Sequence, residues 1–217
     1  MKNLIIRPAQ LKDVNEILIV EEEAWPAGMR AKREQFISRI ETFPEGTLVA
    51  VADGHITGVV STEIINYNLE KPIATWNEAT DYGFIKKTHN PEGDTLYGVD
   101  LSVTRFADNT SRLLMEAVGR LIIRFNLKQG VLGARIPRYH KFKDKMTVEE
   151  YINGRRGSRP MDPELAFYKN LGLKIGKVLP NYINDPESCN YGVLLIWKNP
   201  FYGKPFSGFW SWIFRIK

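Results

Sequence analysis

Apolar positions along the chain switch between two periods, and the switches mark the elements. Residues 3–7 carry Leu4, Ile5 and Ile6 ahead of Pro8 and predict a short first strand. Leu11, Val14, Ile17 and Leu18 recur at helical spacing over 10–24, and Trp25-Pro26-Ala27-Gly28 ends that helix. Phe36, Ile37 and Ile40 place a second helix at about 31–42. Thr47 to Ala52 and His55 to Ile65 read as strands joined by Asp53-Gly54, a two-residue hairpin signal. Residues 67–94 have no clear period, contain Pro72, Asn90-Pro91 and Gly93, and read as an insertion or long loop. Thr95 to Thr104 predicts a strand with Tyr97, Val99, Leu101 and Val103 on one face.

The cleanest helical period spans about 110–127, through Leu113, Leu114, Ala117, Val118, Leu121, Ile122 and Phe125. Gly130 is expected to cap it, with a strand from Val131 to Ile136. Residues 137–160 are basic and irregular, with a short helix signalled by the capping box Thr147-Val148-Glu149-Glu150. Asp162-Pro163 starts another helix, as cap and first helical residue, and Gly172 ends it. Leu173 to Val178 and Tyr191 to Trp197 are the last two strands. The order β-α-α-β-β-β-α-β-α-β-β predicts an α/β (α+β) protein, one mixed sheet with helices on both faces.

Composition adds exclusions. Hydrophobic residues at 43% and charged residues at 25% are those of a globular chain, and no apolar run has the length to cross a bilayer. The N-terminal residues read as a strand and not as a secretory signal. Cys189 is the single cysteine, so no internal disulfide forms and a cytoplasmic, reducing location is expected. With three scattered histidines, no metal site is expected. The net charge of +5 admits nucleic acid, an acidic membrane or a phosphate-bearing cofactor.

Chemistry concentrates where the strand at 95–104 meets the helix at 110–127. Arg105, Asn109, Thr110, Ser111 and Arg112 surround a helix N-terminus, whose free N–H groups and partial positive charge suit a pyrophosphate. Simple capping explains the same residues, so the local pattern leaves both readings open. A second marked stretch is Ala166-Phe167-Tyr168-Lys169-Asn170-Leu171-Gly172-Leu173.

Together these stretches, over residues 3–199, resemble the GNAT superfamily of N-acetyltransferases. A narrower likeness runs through Arg135-Ile136-Pro137-Arg138-Tyr139-His140, Met146-Thr147-Val148-Glu149-Glu150-Tyr151, Asp162-Pro163-Glu164-Leu165, Leu179-Pro180-Asn181-Tyr182, Asp185-Pro186-Glu187-Ser188 and Trp197-Lys198-Asn199-Pro200. It resembles the acetyltransferase domains fused to nitrilase-like carbon–nitrogen hydrolases; this chain is expected to be a stand-alone relative.

The resemblance implies the GNAT fold over 1–199, with insertions at about 67–94 and 137–160, and an aromatic tail at 200–217. It implies acetyl-CoA as co-substrate, without metal, and a small-molecule or peptide amine as acceptor. Leu101, Ser102 and Val103 match the strand whose backbone pairs with the pantetheine arm. Arg105, Asn109, Thr110, Ser111 and Arg112 match the pyrophosphate loop, and Tyr168 matches the tyrosine that protonates the departing thiolate. The loop departs from the family pattern, Arg/Gln-x-x-Gly-x-Gly/Ala, with Asp108 and Thr110 where glycines stand. Asn109 tolerates positive φ, whereas Asp108 sets a negative charge near the pyrophosphate.

Transfer to an amine also needs a proton acceptor and an oxyanion donor. A backbone N–H at 101–103 fits the second. Asp100 is the candidate base, with a structural carboxylate as the competing reading; Glu23, His140 and a water chain stay open. No nucleophile for a covalent acyl-enzyme is evident, so direct transfer is expected. Tyr168 equally suits a core aromatic.

The segment 135–159 holds Arg135, Arg138, Lys141, Lys143, Lys145, Arg155, Arg156 and Arg159 against Asp144, Glu149 and Glu150. A solvated loop is preferred there over CoA phosphate contact, and nucleic acid is disfavoured for want of a binding motif. The tail carries Phe201, Tyr202, Phe206, Phe209, Trp210, Trp212 and Phe214 beside Arg215 and Lys217. Packing onto its own domain or a second subunit is the preferred expectation, with peripheral membrane contact through 201–217 as the other. Two further alternatives remain: a non-catalytic ligand-sensing or interaction module, and a membrane-associated acyltransferase.

Overall fold

Alternating faces and one long amphipathic helix fix the architecture of the computed structural model, which describes residues 4–105, 109–157 and 159–216. The strands are β1 (Leu4–Pro8), β2 (Thr47–Ala52), β3 (His55–Ile65), β4 (Thr95–Val103), β5 (Gln129–Ala134), β6 (Arg155–Arg156), β7 (Arg159–Pro160), β8 (Lys174–Leu179) and β9 (Gly192–Lys198). The helices are α1 (Val14–Ala24), α2 (Arg33–Thr42), α3 (Trp76–Thr80), α4 (Thr110–Arg124), α5 (Val148–Asn153), α6 (Pro163–Asn170) and α7 (Ser207–Ile213). Among the described residues, seven strands form the main sheet in the order β1-β2-β3-β4-β5-β9-β8, and β6 pairs with β7 apart from it. The β4–β5 pair is parallel and the other pairings are antiparallel.

The helices lie on both faces. Val49 and Val59 pack with Val14, Ile17, Val20, Phe36 and Ile40 of α1 and α2. Their neighbours Leu48, Ala50 and Val60 pack on the other face with Leu114, Val118, Leu121 and Ile122 of α4. A third apolar cluster joins Tyr139, Val148, Tyr151 and Leu165 to Val193 and Leu195 of β9. The β2–β3 turn has positive φ at Asp53 (53°) and Gly54 (85°), as its sequence demands.

Three expectations need correction. Gly130 does not cap α4. It sits inside β5 opposite Leu96, and the chain leaves the helix through Asn126 at φ 52°, asparagine tolerating the left-handed region. The strand at 95–103 does not keep one face throughout. Ser61 pairs with Asp100 but Thr62 with Gly98, so Val99 is a β-bulge. Across it Tyr97, opposite Glu63, shares the α1–α2 face with Asp100 and Ser102, while Leu101 and Val103 turn to α4. The 67–94 insertion is not wholly loop either, because it holds α3, capped by the Thr75 side chain.

The tail folds as α7 onto α4. The Ser211 hydroxyl donates to the Arg120 carbonyl at 3.0 Å, and the Phe214 ring lies where a Cβ on Gly119 would stand, 2.6 Å away. No helix among the described residues is long and apolar enough to cross a membrane.

Candidate active site

The sheet has an open seam at its centre. β4 pairs with β5 only from Thr95 to Gly98, and beyond the bulge the two strands part. The Thr104 amide donates to the Thr57 carbonyl at 3.0 Å. Alternation then turns the N–H and C=O of Ser102 toward β3 and those of Leu101 and Val103 toward the seam. The Val99 carbonyl accepts from Trp76 Nε1 at 3.0 Å, which fastens α3 to the bulge.

A cavity of about 690 Å³ fills the seam and passes between the two faces of the sheet. On the α4 side its wall is Leu101, Val103, Ser111, Met115, Val118 and Ile122, closed by Phe214 and Ile216 of the tail. On the α1 side the wall is Glu23, Trp25, Trp76, Asp100, Arg135 and Ile183. Helix α6 contributes Glu164, Phe167 and Tyr168, and Leu171 follows at its C-terminal cap. Its start is fixed by Asp162, whose carboxylate accepts the amides of Glu164 (2.9 Å) and Leu165 (3.3 Å), with Pro163 next. Glu164 and Tyr168, four residues apart, therefore fall on one face.

The titratable groups of the wall differ in state. Burial lifts the Tyr168 hydroxyl well above its ordinary value, and the charges of Glu164 and Asp100 push the same way, so it keeps its proton through the physiological range. Burial pushes Glu164 up to about 7, with Arg135 opposing and Asp162, Asp185 and Glu187 adding to the rise. Asp100 is held differently: Oδ2 lies 3.1 Å from Nη1 of the buried Arg39, and Oδ1 lies 3.3 Å from the Ser102 hydroxyl. Ser102 Oγ also meets Glu21 Oε2 at 2.6 Å and accepts from Trp25 Nε1 at 2.7 Å. Burial, then the Asp100 charge, raises the Glu21 carboxyl pKa. Arg135 bonds Asp185 at 2.7 Å and Glu187 at 3.2 Å, and its guanidinium lies over the Trp25 ring.

The residues expected at the helix N-terminus lie at the α4 end. Asn109 takes the left-handed conformation (φ 59°), Thr110 is buried, and Ser111 and Arg105 reach the cavity wall. Arg112 is engaged by the tail, donating to the Ile216 carbonyl at 3.1 Å. Asp108 lies outside the described residues. Asp100 and Tyr168 do meet on the wall, with Leu101 and Val103; Ser102 faces away, into the Glu21 network. His140 is not on the wall: its Nδ1 sits 2.9 Å from the Pro137 carbonyl and 3.0 Å from that of Glu187. Sequence reasoning missed Arg39, Glu21, Glu164, Trp76 and the tail's Phe214 and Ile216. For Glu164 a signal existed, namely its spacing of four from Tyr168.

No family model matches the chain. It is 36% identical over 207 residues to the uncharacterized N-acetyltransferase YkwB of Bacillus subtilis, covering 93% of this chain and 91% of that protein. It is 35% identical over 201 residues to the probable hydrolase YhcX of the same organism, where it spans 91% of this chain and only 39% of that longer protein. Among solved structures, the GphF GNAT-like decarboxylase in complex with isobutyryl-CoA superposes with a TM-score of 0.77 at 26% identity, over 90% of this chain and 99% of that one.

Proposed function

This chain belongs to the GNAT superfamily of N-acetyltransferases, and from that premise we propose that it transfers an acetyl group from acetyl-CoA directly to a primary amine. The observation that carries this reading is the seam itself. It offers the unpaired backbone of Leu101 and Val103 to an extended amide-bearing arm, between a helix N-terminus at one end and Glu164 with Tyr168 within.

In this reading the pyrophosphate rests at Asn109–Arg112 with Arg105 beside it, and the pantetheine arm runs along β4. The amine enters from the α1 side, past Glu23, Trp25 and Trp76. Glu164 takes its proton, being poised near neutral pH. The nitrogen attacks the thioester carbonyl, and a backbone N–H of β4 receives the oxyanion. The adduct's nitrogen releases its second proton to solvent, the C–S bond breaks, and Tyr168 protonates the leaving thiolate. Transfer of the proton from Glu164 back to Tyr168 resets both groups. Protonating Asp100 breaks an ion pair with Arg39, so it is the poorer base and serves to hold the ammonium of the entering amine.

Calorimetric titration with acetyl-CoA, followed by acetylation of a panel of primary amines, tests the reading. Micromolar binding is expected in wild type, Tyr168→Phe and Glu164→Gln alike. Tyr168→Phe should lower kcat about a hundredfold. In wild type kcat/KM should rise as pH passes through about 7, and Glu164→Gln should lose that limb. Absence of binding at millimolar acetyl-CoA sinks the proposal. A second reading follows from the likeness to GphF: a carboxylated acyl-CoA decarboxylated in the same cavity. Release of carbon dioxide from malonyl-CoA, with no amine acetylated, would favour it.

A further inference from the structure

Helix α7 is built the wrong way round for a helix that only packs on its own domain. The side facing α4 is Ser207, Ser211 and Phe214, with the two serine hydroxyls donating to the carbonyls of Arg124 (3.2 Å) and Arg120 (3.0 Å). The apolar stripe faces out. Phe206, Phe209, Trp212 and Ile213 follow helical spacing and are 80%, 53%, 74% and 42% exposed, with Tyr202 nearby at 52%. A contiguous exposed patch of this kind marks an interaction surface.

The tail itself is basic. No Asp or Glu occurs anywhere from Ser188 to Lys217. Lys204 lies over the Phe201 and Trp210 rings, and Arg124 lies over Phe125 beside the start of α7. Arg120 and Arg215 flank the C-terminal end of the helix. The carboxylate on this side, Glu116, is buried and already bound by Arg112, Arg120 and Arg215. Aromatic rings standing out of a basic collar match a bilayer surface, where rings enter the headgroup layer and cations meet anionic lipids.

We propose that the outward face of α7 docks the protein on an anionic membrane. The contact proposed is peripheral; no helix among the described residues is long and apolar enough to cross a membrane. Because the inner residues of the same segment, Phe214 and Ile216, close the α4 end of the cavity, docking places that opening beside the lipid headgroups.

Co-sedimentation of the full chain with vesicles tests this, alongside sedimentation velocity without lipid. Binding is expected to equimolar phosphatidylcholine–phosphatidylglycerol vesicles and about tenfold weaker to phosphatidylcholine alone. The double variant Phe206→Ser, Trp212→Ser should lose at least about tenfold in partitioning with an unchanged melting temperature, since both side chains are mostly exposed. Lys204→Glu with Arg124→Glu should abolish the preference for anionic lipid, each basic residue strengthening such binding about fivefold. If the aromatic pair lowers the melting temperature, Phe206→Ser alone, at the most exposed position, carries the same test. Binding to neither vesicle, or binding unchanged in the aromatic variants, overturns the proposal. So does a wild-type dimer that the aromatic variants split and that ignores vesicles, which would assign the patch to a second copy.

Discussion

The two ends of the cavity are made of different chemistry. At the α1 end, Asp100, Glu21, Ser102, Arg39 and Trp25 form a hydrogen-bonded network, with Glu63 buried on the same strand face. At the α4 end the wall is mostly apolar, with Met115, Val118, Ile122, Phe214 and Ile216, and Thr62, Ser111 and Arg105 are the polar residues among those described. Both ends touch the same 690 Å³ space, within reach of Glu164 and Tyr168. The difference separates two tasks. A network of charges in low dielectric responds to protonation, while an apolar wall responds to shape. In the proposed reaction the first end selects and orients the amine, and the second holds a long, uncharged arm.

Arg39→Met strikes the polar end hardest. It leaves Asp100 buried without its cation, and breaking such a pair costs about 3–5 kcal/mol, readable as a lower denaturant midpoint. Glu63→Gln should act in the opposite sense and depend on pH. Burial pushes Glu63 up to about 8, against the Thr88 hydroxyl and the Arg39 charge, from an ordinary value of 4.5. The fold then keeps a proton that the unfolded chain releases, so wild-type stability falls as pH rises from about 4.5 to about 8, by up to about 1.4 kcal/mol per unit. The glutamine variant should lack this slope and gain on the order of 3 kcal/mol at pH 8, measured by denaturation across that range. Phe214→Ala tests the apolar end with the smallest effect. A half-buried ring is lost at about 1–2 kcal/mol, and acetyl-CoA affinity should change while the pH profile of catalysis stays put. If instead the profile moves, the two ends are not separate.

Periodicity made most of the fold legible. The α4 stripe, the Asp53-Gly54 hairpin and the Asp162-Pro163 helix start are local features, each set by residues within a few positions. The errors came from effects without a local signature. Asn126 and Gly130 both qualify as helix stops, and which one acts depends on β5 needing Gln129 and Gly130 opposite Thr95 and Leu96. Nothing in the alternation of 95–103 announces that Val99 is bulged, because the bulge arises in pairing with β3. Tyr168 and Asp100 were readable as candidates. Arg39 was not, since it sits on α2 among polar residues and its carboxylate partner lies 61 positions away. The tail's aromatics were visible, but the orientation of the stripe depended on two serines turned to α4.

The parted strands amount to a sheet edge in the interior of a protein. Edges at the rim of a sheet recruit other strands, and chains blunt them with charges, prolines or short lengths. The edge presented by Leu101 and Val103 is short, and these two residues are neither charged nor proline. It is guarded also by enclosure: α4, α6 and the tail wall the cavity it faces. In the proposed reaction a thin amide-bearing arm adds to this edge. The hazard of aggregation and the capacity to bind thus arise from the same unpaired backbone, and its enclosure decides between them.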